Sequence, residues 1–336
     1  MATVTFYNVS PTDEQRFSQL LKEYDLDFEL VPGPFDRTHS KPDTQVISIF
    51  ASDIITRDDM DQLPNLKLIA TRTTGFDHID LAAAKEKGIT VTNVPRYGES
   101  TVAEYAFALI LALSRKLAST LEQIKDAVID APSLQGFDLA GKTLGVVGTG
   151  RIGQHVIKIA KGFGMEVIAF DLRPKEEVAQ DLGFKYVGLQ EIAAKSDIIT
   201  LHAPGTPETH HMVDSDFLGR VKSTSVLVNT ARGEVVDTTA LVQALSHGKL
   251  AGAALDVLEH EELLRGSSAI DASAKPVTSE EAQAVLDILS LKAMPQVLLT
   301  PHNAFNTAEA LDRIRQTTVQ NIIDFYQGET PNKVEV

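Results

Sequence analysis

Three glycines at residues 148, 150 and 153 directly follow an apolar run at 144–147. In a parallel sheet, glycines at this spacing supply a tight turn, let the backbone approach a pyrophosphate, and allow close contact between helix and strand. The helix that they open would point unpaired N–H groups and its positive dipole end at the phosphates. The motif therefore predicts a dinucleotide-binding strand, turn and helix, with a plain glycine turn as the alternative.

An acidic residue ends the next apolar run, where a ribose-binding group is expected. Residues 167–170 are apolar, and Asp171 follows them. A carboxylate at this position accepts hydrogen bonds from the adenosine ribose and repels a 2′-phosphate, so NAD is favoured over NADP. Arg173 could pair with such a phosphate, which keeps NADP open as an alternative.

An arginine follows a later buried strand, 226–229. The C-terminal ends of parallel strands face the ligand crevice, where the planar guanidinium of Arg232 can grip a carboxylate through two hydrogen bonds. The alternative is a surface arginine that pairs with Glu234 or Asp237. Asp256 ends the next strand and would open on the same crevice, towards the nicotinamide.

A histidine follows the last predicted strand, 297–300. A hydride delivered to a carbonyl carbon leaves an alkoxide, so the reaction needs a proton donor that titrates near neutrality, as histidine does. His302 is the candidate, and His202 is the alternative. A nearby carboxylate would orient the ring and favour its protonated form, and the residues themselves leave three acids open: Glu259, Glu261 and Glu262.

Composition excludes several classes of function. The net charge of −15 and a pI near 5.0 argue against an electrostatic grip on nucleic acid or anionic lipid. The absence of cysteine excludes disulfides, thiolate catalysis and cysteine-ligated metals. No metal site is predicted, since no HExxH motif or acidic cluster with ligand spacing occurs and the His210-His211 pair is interpreted as part of a loop.

No membrane or export signal is expected. The N-terminus lacks a basic segment followed by an apolar one, and the longest apolar stretch, 105–113, is too short to cross a bilayer. These features predict a cytoplasmic protein.

Short apolar runs alternate with amphipathic stretches, which predicts an α/β fold of two doubly wound parallel-sheet domains with a cleft between them. The first is a small flavodoxin-like domain with a helix over 12–24 and strands near 3–7, 45–50, 66–70 and 89–93. The second is a Rossmann domain with strands near 143–148, 166–170, 197–201, 225–229, 252–257 and 297–300.

Two helices would accompany the crossings between these domains. Residues 100–118 start with a Ser/Thr cap and are apolar nearly all round, so the helix must be buried, either internally or against a second subunit. Residues 307–327 predict an amphipathic helix that returns to cover the first domain and ends before Gly328. The segment 263–296 is interpreted as an insertion with a helix near 278–291. The predicted domains are 1–99 plus 303–336 for the substrate and 100–302 for NAD.

Five segments together resemble the D-isomer-specific 2-hydroxyacid dehydrogenase family over essentially the whole chain. In chain order they are TTGFDHID at 73–80, GTGRIG at 148–153, NTARG at 229–233, ALDV at 254–257 and TPH at 300–302. The resemblance implies an NAD-dependent homodimer that reduces a 2-oxo acid to the (R)-2-hydroxy acid. It places the substrate-binding arginine at Arg232, the proton donor at His302 and the histidine-orienting glutamate at Glu261, with Glu259 as the alternative.

The resemblance also implies the cofactor and substrate contacts. It puts Gly148, Gly150, Arg151, Ile152 and Gly153 at the pyrophosphate, Asp171 at the ribose, Ala203, Pro204 and Thr209 along the cofactor, and Thr230, Ala231, Arg232 and Asp256 around the nicotinamide. It further implies that the backbone amides of Thr74 and Gly75 hold the substrate carboxylate.

Within the family, the D-lactate dehydrogenase branch is most similar. The segments NVPRY at 93–97 and PHNAF at 301–305, and the long stretch between Glu261 and His302, carry this likeness. In that branch aromatic residues touch the substrate side chain, which implies Tyr97, Phe305 and Phe50. An apolar wall favours pyruvate first and phenylpyruvate or a branched 2-oxo acid second. The alternatives are a hydroxypyruvate or glyoxylate reductase and a non-catalytic NAD-sensing module. Arg96 would favour a more polar 2-oxo acid if it faced the cleft, and otherwise it is a surface arginine.

Overall fold

The computed structural model describes residues 3–24, 26–36, 40–41, 43–127, 129–261 and 278–335. The chain divides into two compact units, Met1–Tyr97 with Asn306–Val336, and Gly98–Phe305. Both are α/β, as the sequence predicts. In the described ranges, no helix is both long enough and apolar enough to span a membrane.

The first unit is built on a five-stranded parallel sheet in the order β2-β1-β3-β4-β5. Its strands are β1 (Thr3–Phe6), β2 (Asp27–Leu30), β3 (Thr44–Ile49), β4 (Leu68–Thr71) and β5 (Thr90–Thr92), and its first helices are α1 (Pro11–Leu21), α2 (Arg57–Asp61) and α3 (Leu81–Glu86). This strand order is the flavodoxin-like one. The prediction omitted β2, an edge strand whose two acidic residues interrupt any apolar run.

Helix α1 ends earlier than predicted but begins where the sequence indicates. Ser10 caps it by accepting a hydrogen bond from the Asp13 amide at 3.2 Å, and the Asp13 carboxylate accepts one from the Ser10 amide at 3.0 Å. Pro11 at the first helical position needs no N–H partner. Local sequence signals therefore define this helix start.

The second unit contains a seven-stranded parallel sheet in the order β12-β11-β10-β9-β6-β7-β8. Its helices are α4 (Glu99–Ser114), α5 (Leu117–Lys125), α6 (Arg151–Gly162), α7 (Glu176–Leu182), α8 (Leu189–Lys195), α9 (Ser215–Leu218), α10 (Thr238–Ser246) and α11 (Ser279–Ala293). Its strands are β6 (Thr143–Val147), β7 (Glu166–Phe170), β8 (Lys185–Tyr186), β9 (Ile198–Leu201), β10 (Val226–Asn229), β11 (Gly252–Leu255) and β12 (Val297–Leu299).

All six strands predicted for the second unit are present, in the Rossmann order with β12 added at one edge. β9, β10 and β11 are buried at every position, as expected for parallel strands covered on both faces. The two-residue strand β8 was not predicted because it is too short to give a pattern.

The long apolar helix predicted over 100–118 is two helices. α4 begins after Gly98 with no side-chain cap, so the predicted Ser/Thr cap is wrong. The break falls at Lys116, whose φ of +48° is left-handed and cannot continue a helix. α4 packs within its own unit, where Ala103, Ala106 and Ile110 are fully buried, whereas α5 buries no residue.

The last helix, α12 (Ala308–Tyr326), covers the first unit's sheet, as predicted. Val319, Ile322 and Ile323 pack with apolar residues of β1, β3 and β4, and the helix is followed by Gly328 with a φ of +85°. The helix predicted near 278–291 is confirmed as α11, while 262–277 of the predicted insertion lie outside the described residues.

Candidate active site

The three glycines of the motif each meet a different steric requirement. Gly148 has a φ of +93°, and a Cβ there would lie 2.6 Å from the carbonyl oxygen of His202. A Cβ at Gly153 would lie 2.1 Å from the Gly148 oxygen, so the helix could not pack so closely on the turn. A Cβ at Gly150 would meet no atom within 4 Å. This open side is where a phosphate group can approach the backbone.

Helix α6 starts at this turn without a side-chain cap, so its first N–H groups are available to an anion. Arg151 is its first residue and holds its Nε 3.4 Å from Glu99 Oε1; Ile152 is partly buried in the core. The Gln154 side-chain amide donates to the Thr149 carbonyl at 2.9 Å, which braces the turn. These residues fit a dinucleotide pyrophosphate.

Asp171 follows β7 and reaches back to the same turn. One carboxylate oxygen accepts hydrogen bonds from the Thr149 amide at 2.7 Å and hydroxyl at 2.8 Å. The other accepts from the amide of Arg173 at 2.8 Å. Thr149, which the sequence analysis did not single out, thus fixes the acid beside the glycine turn, as a ribose-binding carboxylate requires.

We expect Asp171→Ser to weaken NADH binding by roughly 10- to 100-fold, because hydrogen bonds to a charged group contribute about 1.5–3 kcal/mol. NADPH should lose less, since the substitution also removes repulsion of the 2′-phosphate. The measurement is kcat/KM for each cofactor. Arg173→Ala is the matched control, since Arg173 is the residue that could pair with a 2′-phosphate. An unchanged NADH to NADPH ratio in the Asp171 variant would remove its ribose role.

The loop after β9 holds three predicted cofactor contacts. The Thr209 hydroxyl donates to the carbonyl of Pro204 at 2.6 Å and accepts from the Thr206 amide at 2.9 Å. Thr209 and Ala203 are both buried. Thr209 therefore acts on the shape of this loop. The loop lies next to the glycine turn, since a Cβ at Gly148 would lie 2.6 Å from the His202 oxygen and 2.8 Å from the Ala203 nitrogen.

The turn after β10 presents Arg232. The Asn229 side chain donates to the Arg232 carbonyl at 2.9 Å and accepts from the Ala231 amide at 3.0 Å, so it closes the turn from both sides. The Arg232 guanidinium itself donates to the Ala231 carbonyl at 2.7 Å. The Thr230 hydroxyl is buried and has no hydrogen-bond partner in the described part of the chain. A ligand group at this position, such as the nicotinamide, would satisfy it.

His302 and Glu261 are brought together by the folded chain. Nδ1 of His302 lies 2.9 Å from Glu261 Oε1. His302 has a left-handed φ of +51°, and its amide donates to the Asp256 carbonyl at 2.8 Å. A histidine is held in this sparsely populated conformation only where surrounding contacts determine it.

Asp256 supplies those contacts. Its buried carboxylate accepts hydrogen bonds from the amides of Asn303 at 2.9 Å and Ala304 at 2.8 Å, and from the Thr300 hydroxyl. The residue predicted to touch the nicotinamide thus fastens the turn that carries His302.

The competing candidates have other partners. Glu259 contacts His211 and Thr238 instead of His302, and Glu262 lies outside the described residues. His202 is bound through Nε2 to the Thr200 hydroxyl at 2.9 Å. Although part of the residue is exposed, its Nδ1 is shielded from solvent, and burial lowers the pKa of His202 to about 3. His202 is therefore neutral at physiological pH and has no proton of this kind to donate.

The remaining predicted residues lie mostly in the first unit. The Thr74 and Gly75 amides have no hydrogen-bond partner among the residues that the structure describes. Asn93 donates to the Thr74 carbonyl at 2.8 Å, which helps to fix this turn. The Phe50 ring lies 5.4 Å from the guanidinium of Arg72, a buried cation that sequence reasoning missed.

Three further predicted residues lie close in sequence to the points where the chain passes from one unit to the other. The Tyr97 carbonyl accepts a hydrogen bond from Arg313 Nε at 2.7 Å, and Phe305 is partly buried at the end of the second unit. Arg96 is exposed and has a left-handed φ of +71°.

Comparison with known proteins decides the family. The sequence model described as "D-isomer specific 2-hydroxyacid dehydrogenase, NAD binding domain" matches residues 107–304, more than half of the chain. The chain belongs to this family. It is an NAD-dependent oxidoreductase that acts on 2-hydroxy acids, as the resemblance implied.

Relatives match over nearly their full length. "2-hydroxyacid dehydrogenase homolog 1" of Schizosaccharomyces pombe is 37% identical, covering 96% of both chains. D-lactate dehydrogenase of Escherichia coli is 34% identical, covering 98% of both. The solved structure of D-lactate dehydrogenase from Aquifex aeolicus, complexed with NAD and lactic acid, has a TM-score of 0.85 at 37% identity and covers 97% of this chain and 96% of that one.

Proposed function

We propose that this enzyme is a D-lactate dehydrogenase that reduces pyruvate, or a closely related apolar 2-oxo acid, to the (R)-2-hydroxy acid. The observation that carries the chemistry is the His302–Glu261 pair at 2.9 Å, set by Asp256 at the end of the sheet. The preference for pyruvate is supported by similarity to two D-lactate dehydrogenases, one of them solved with lactic acid.

His302 is the proton donor. An ionised carboxylate only accepts hydrogen bonds, so Glu261 takes the bond from Nδ1–H and leaves the proton on Nε2 for the substrate oxygen. Glu261 also stabilises the charged imidazolium before the proton leaves. The reduced nicotinamide, when bound, supplies the hydride to the carbonyl carbon. The proton and the hydride together convert the ketone to the alcohol.

Arg232 binds the substrate carboxylate. Its guanidinium presents two parallel N–H groups in one plane, which match the two carboxylate oxygens and fix the direction of the carbonyl. Asn229 holds the backbone at both sides of this residue. The carboxylate contacts at Thr74 and Gly75, and the side-chain contacts at Phe50, Tyr97 and Phe305, stay predictions from the resemblance.

A panel of 2-oxo acids tests the substrate. NADH oxidation is followed by absorbance with pyruvate, phenylpyruvate, 2-oxoisocaproate, oxaloacetate, hydroxypyruvate and glyoxylate, and the His302→Ala variant purified in parallel measures any contaminating dehydrogenase. We expect the highest kcat/KM with pyruvate or another apolar acid. A preference for hydroxypyruvate or glyoxylate would make it a reductase of that class, and no turnover of any acid would favour an NAD-sensing module.

We also propose that the enzyme is a homodimer in which α5 meets a second copy. Leu117, Leu121 and Ile124 are 49%, 54% and 62% exposed and lie on one stripe of that helix. A large apolar stripe on a soluble protein marks an interaction site. The predicted cytoplasmic location stays a prediction, which cell fractionation with an NADH oxidation assay would test.

Charge introduced into this stripe should separate the subunits. We expect Leu121→Glu with Ile124→Glu to shift the mass measured by light scattering from a dimer to a monomer. Glu122→Lys changes charge on the opposite side of α5 and serves as the control that stays dimeric. A parent protein that is monomeric at micromolar concentration would contradict the proposal.

A further inference from the structure

Two consecutive histidines and a distant glutamate form a cluster outside the residues assigned to catalysis. His210 and His211 follow β9, and Glu259 follows β11. The two imidazole rings stack with centroids 4.0 Å apart, and His211 Nε2 lies 2.6 Å from Glu259 Oε1. One nitrogen or oxygen from each of the three residues lies within 4.8 Å of the others. The sequence analysis assigned the histidine pair to a loop and considered Glu259 only as a partner of His302.

The fold holds two of these side chains firmly. The second oxygen of Glu259 accepts hydrogen bonds from the amide of Thr238 at 3.0 Å and from its hydroxyl at 2.8 Å. The His211 amide donates to the Glu234 carbonyl at 2.8 Å, and His211 has a left-handed φ of +50°. A histidine is held in this conformation by surrounding contacts, so the backbone position of His211 is fixed.

The third ligand faces solvent. His210 is exposed and borders an open pocket of about 550 Å³ that is also lined by Gly205, Thr206, Pro207 and Glu234. Its ring has room to adjust to a bond of about 2.0–2.1 Å, the usual length for zinc and an imidazole nitrogen. Water can reach the remaining coordination positions from the pocket.

We propose that His210, His211 and Glu259 bind a divalent transition-metal ion, with Zn²⁺ as the preferred metal. Two imidazoles and one carboxylate form a donor set typical of Zn²⁺ with an open fourth position, whereas Mg²⁺ and Ca²⁺ require oxygen ligands. Thr238 orients the carboxylate by donating to its other oxygen, as hydrogen-bond donors to metal-bound carboxylates commonly do. A bound ion would replace the His211–Glu259 hydrogen bond.

The site would join two loops of the second unit without entering the reaction. Its ligands are not the residues proposed for hydride or proton transfer, and an ion held by both loops would stabilise the folded state. Binding to the folded state alone raises stability by mass action. The proposal is independent of the substrate of the enzyme.

Calorimetry on the full chain, without an affinity tag and after chelator treatment, tests the site. We expect ZnCl2 to bind with one equivalent per chain and to raise the melting temperature, and MgCl2 to do neither. His210→Ala should weaken binding by at least about tenfold, since loss of even a hydrogen-bond partner of a metal ligand costs about 10- to 100-fold. This side chain is exposed, so the variant should fold.

His247→Ala, which removes another exposed histidine, is the matched control and should bind as the parent does. Glu259→Gln is the second variant and should also weaken binding. Titration with CoCl2 gives d–d absorption bands whose intensity distinguishes a four-coordinate protein site from the six-coordinate aqueous ion. Absence of saturable Zn²⁺ binding, or equal affinity in His210→Ala and the parent, would overturn the proposal. In the latter case the ion binds elsewhere, such as at the His302–Glu261 pair.

Discussion

His302→Ala should lower kcat by about 10²- to 10⁴-fold, the usual contribution of one proton-transfer group. Nδ1 of His302 is bound to Glu261, which leaves Nε2 as the donor. His202, whose Nδ1 is shielded from solvent and whose pKa burial lowers to about 3, cannot substitute for it. The dissociation constant for NADH should change little, because the residues predicted to bind its pyrophosphate and ribose lie in other segments of the chain. The measurements are kcat with saturating 2-oxo acid and NADH binding by fluorescence titration.

Two further variants separate the proton-donor role from a loss of fold. Glu261→Gln keeps a hydrogen-bond acceptor at Nδ1 but removes the charge, so it should fall between the parent and His302→Ala in kcat. His202→Asn should keep its turnover once folding is verified by circular dichroism. A His302→Ala enzyme as active as the parent would transfer the acid role to another group.

Arg232→Ala should raise KM for the 2-oxo acid and lower kcat as well. Two charge-assisted hydrogen bonds are lost, at about 1.5–3 kcal/mol each, so kcat/KM should fall by roughly 10²-fold or more. The loss in kcat follows because the carboxylate grip also aligns the carbonyl with the proton donor. Steady-state kinetics with pyruvate measures both constants.

Arg232→Lys is the informative companion. It retains the positive charge but loses the planar pair of N–H groups. Relative to Arg232→Ala, it should therefore recover part of the affinity for the 2-oxo acid but little of kcat. NADH affinity should be nearly the same in both variants. An unchanged kcat/KM in Arg232→Ala would exclude the carboxylate-binding role and leave this arginine with a structural one.

The sequence predicted the features that are encoded locally. A side chain at Gly148 or Gly153 would clash with atoms of the same turn or of the segment after one neighbouring strand. The spacing of the glycines is therefore enough to predict the turn. The position of Asp171 was predictable from local sequence too, because it directly follows a buried strand. The central strands of both sheets were visible as apolar runs for the same reason.

Short and edge elements were not predictable in this way. β2 and β8 are stabilised by pairing with a neighbouring strand and not by their own pattern. The break at Lys116 depends on a left-handed residue within an otherwise helical sequence, which composition does not reveal.

Long-range contacts limited the prediction of the site. Spacing could not choose between Glu259 and Glu261, because the choice depends on which carboxylate meets a histidine 41 positions away. Family resemblance pointed to Glu261, and the geometry shows its partner. The bracing roles of Asn229, Thr149 and Asp256 were missed because each depends on hydrogen bonds between a side chain and another segment or turn, which leave no pattern in the sequence.

The most direct measurement is the stoichiometry and stereochemistry of the product. Pyruvate is converted with NADH, the oxidised cofactor is quantified by absorbance, and lactate is resolved on a chiral column. One lactate per NADH consumed is expected, as a single enantiomer because the proton donor and the carboxylate anchor fix one face of the ketone, and as the (R) form because the family is D-isomer specific. A racemic or (S) product, or NADH oxidation without a hydroxy acid, would contradict the proposed arrangement of Arg232, His302 and the cofactor.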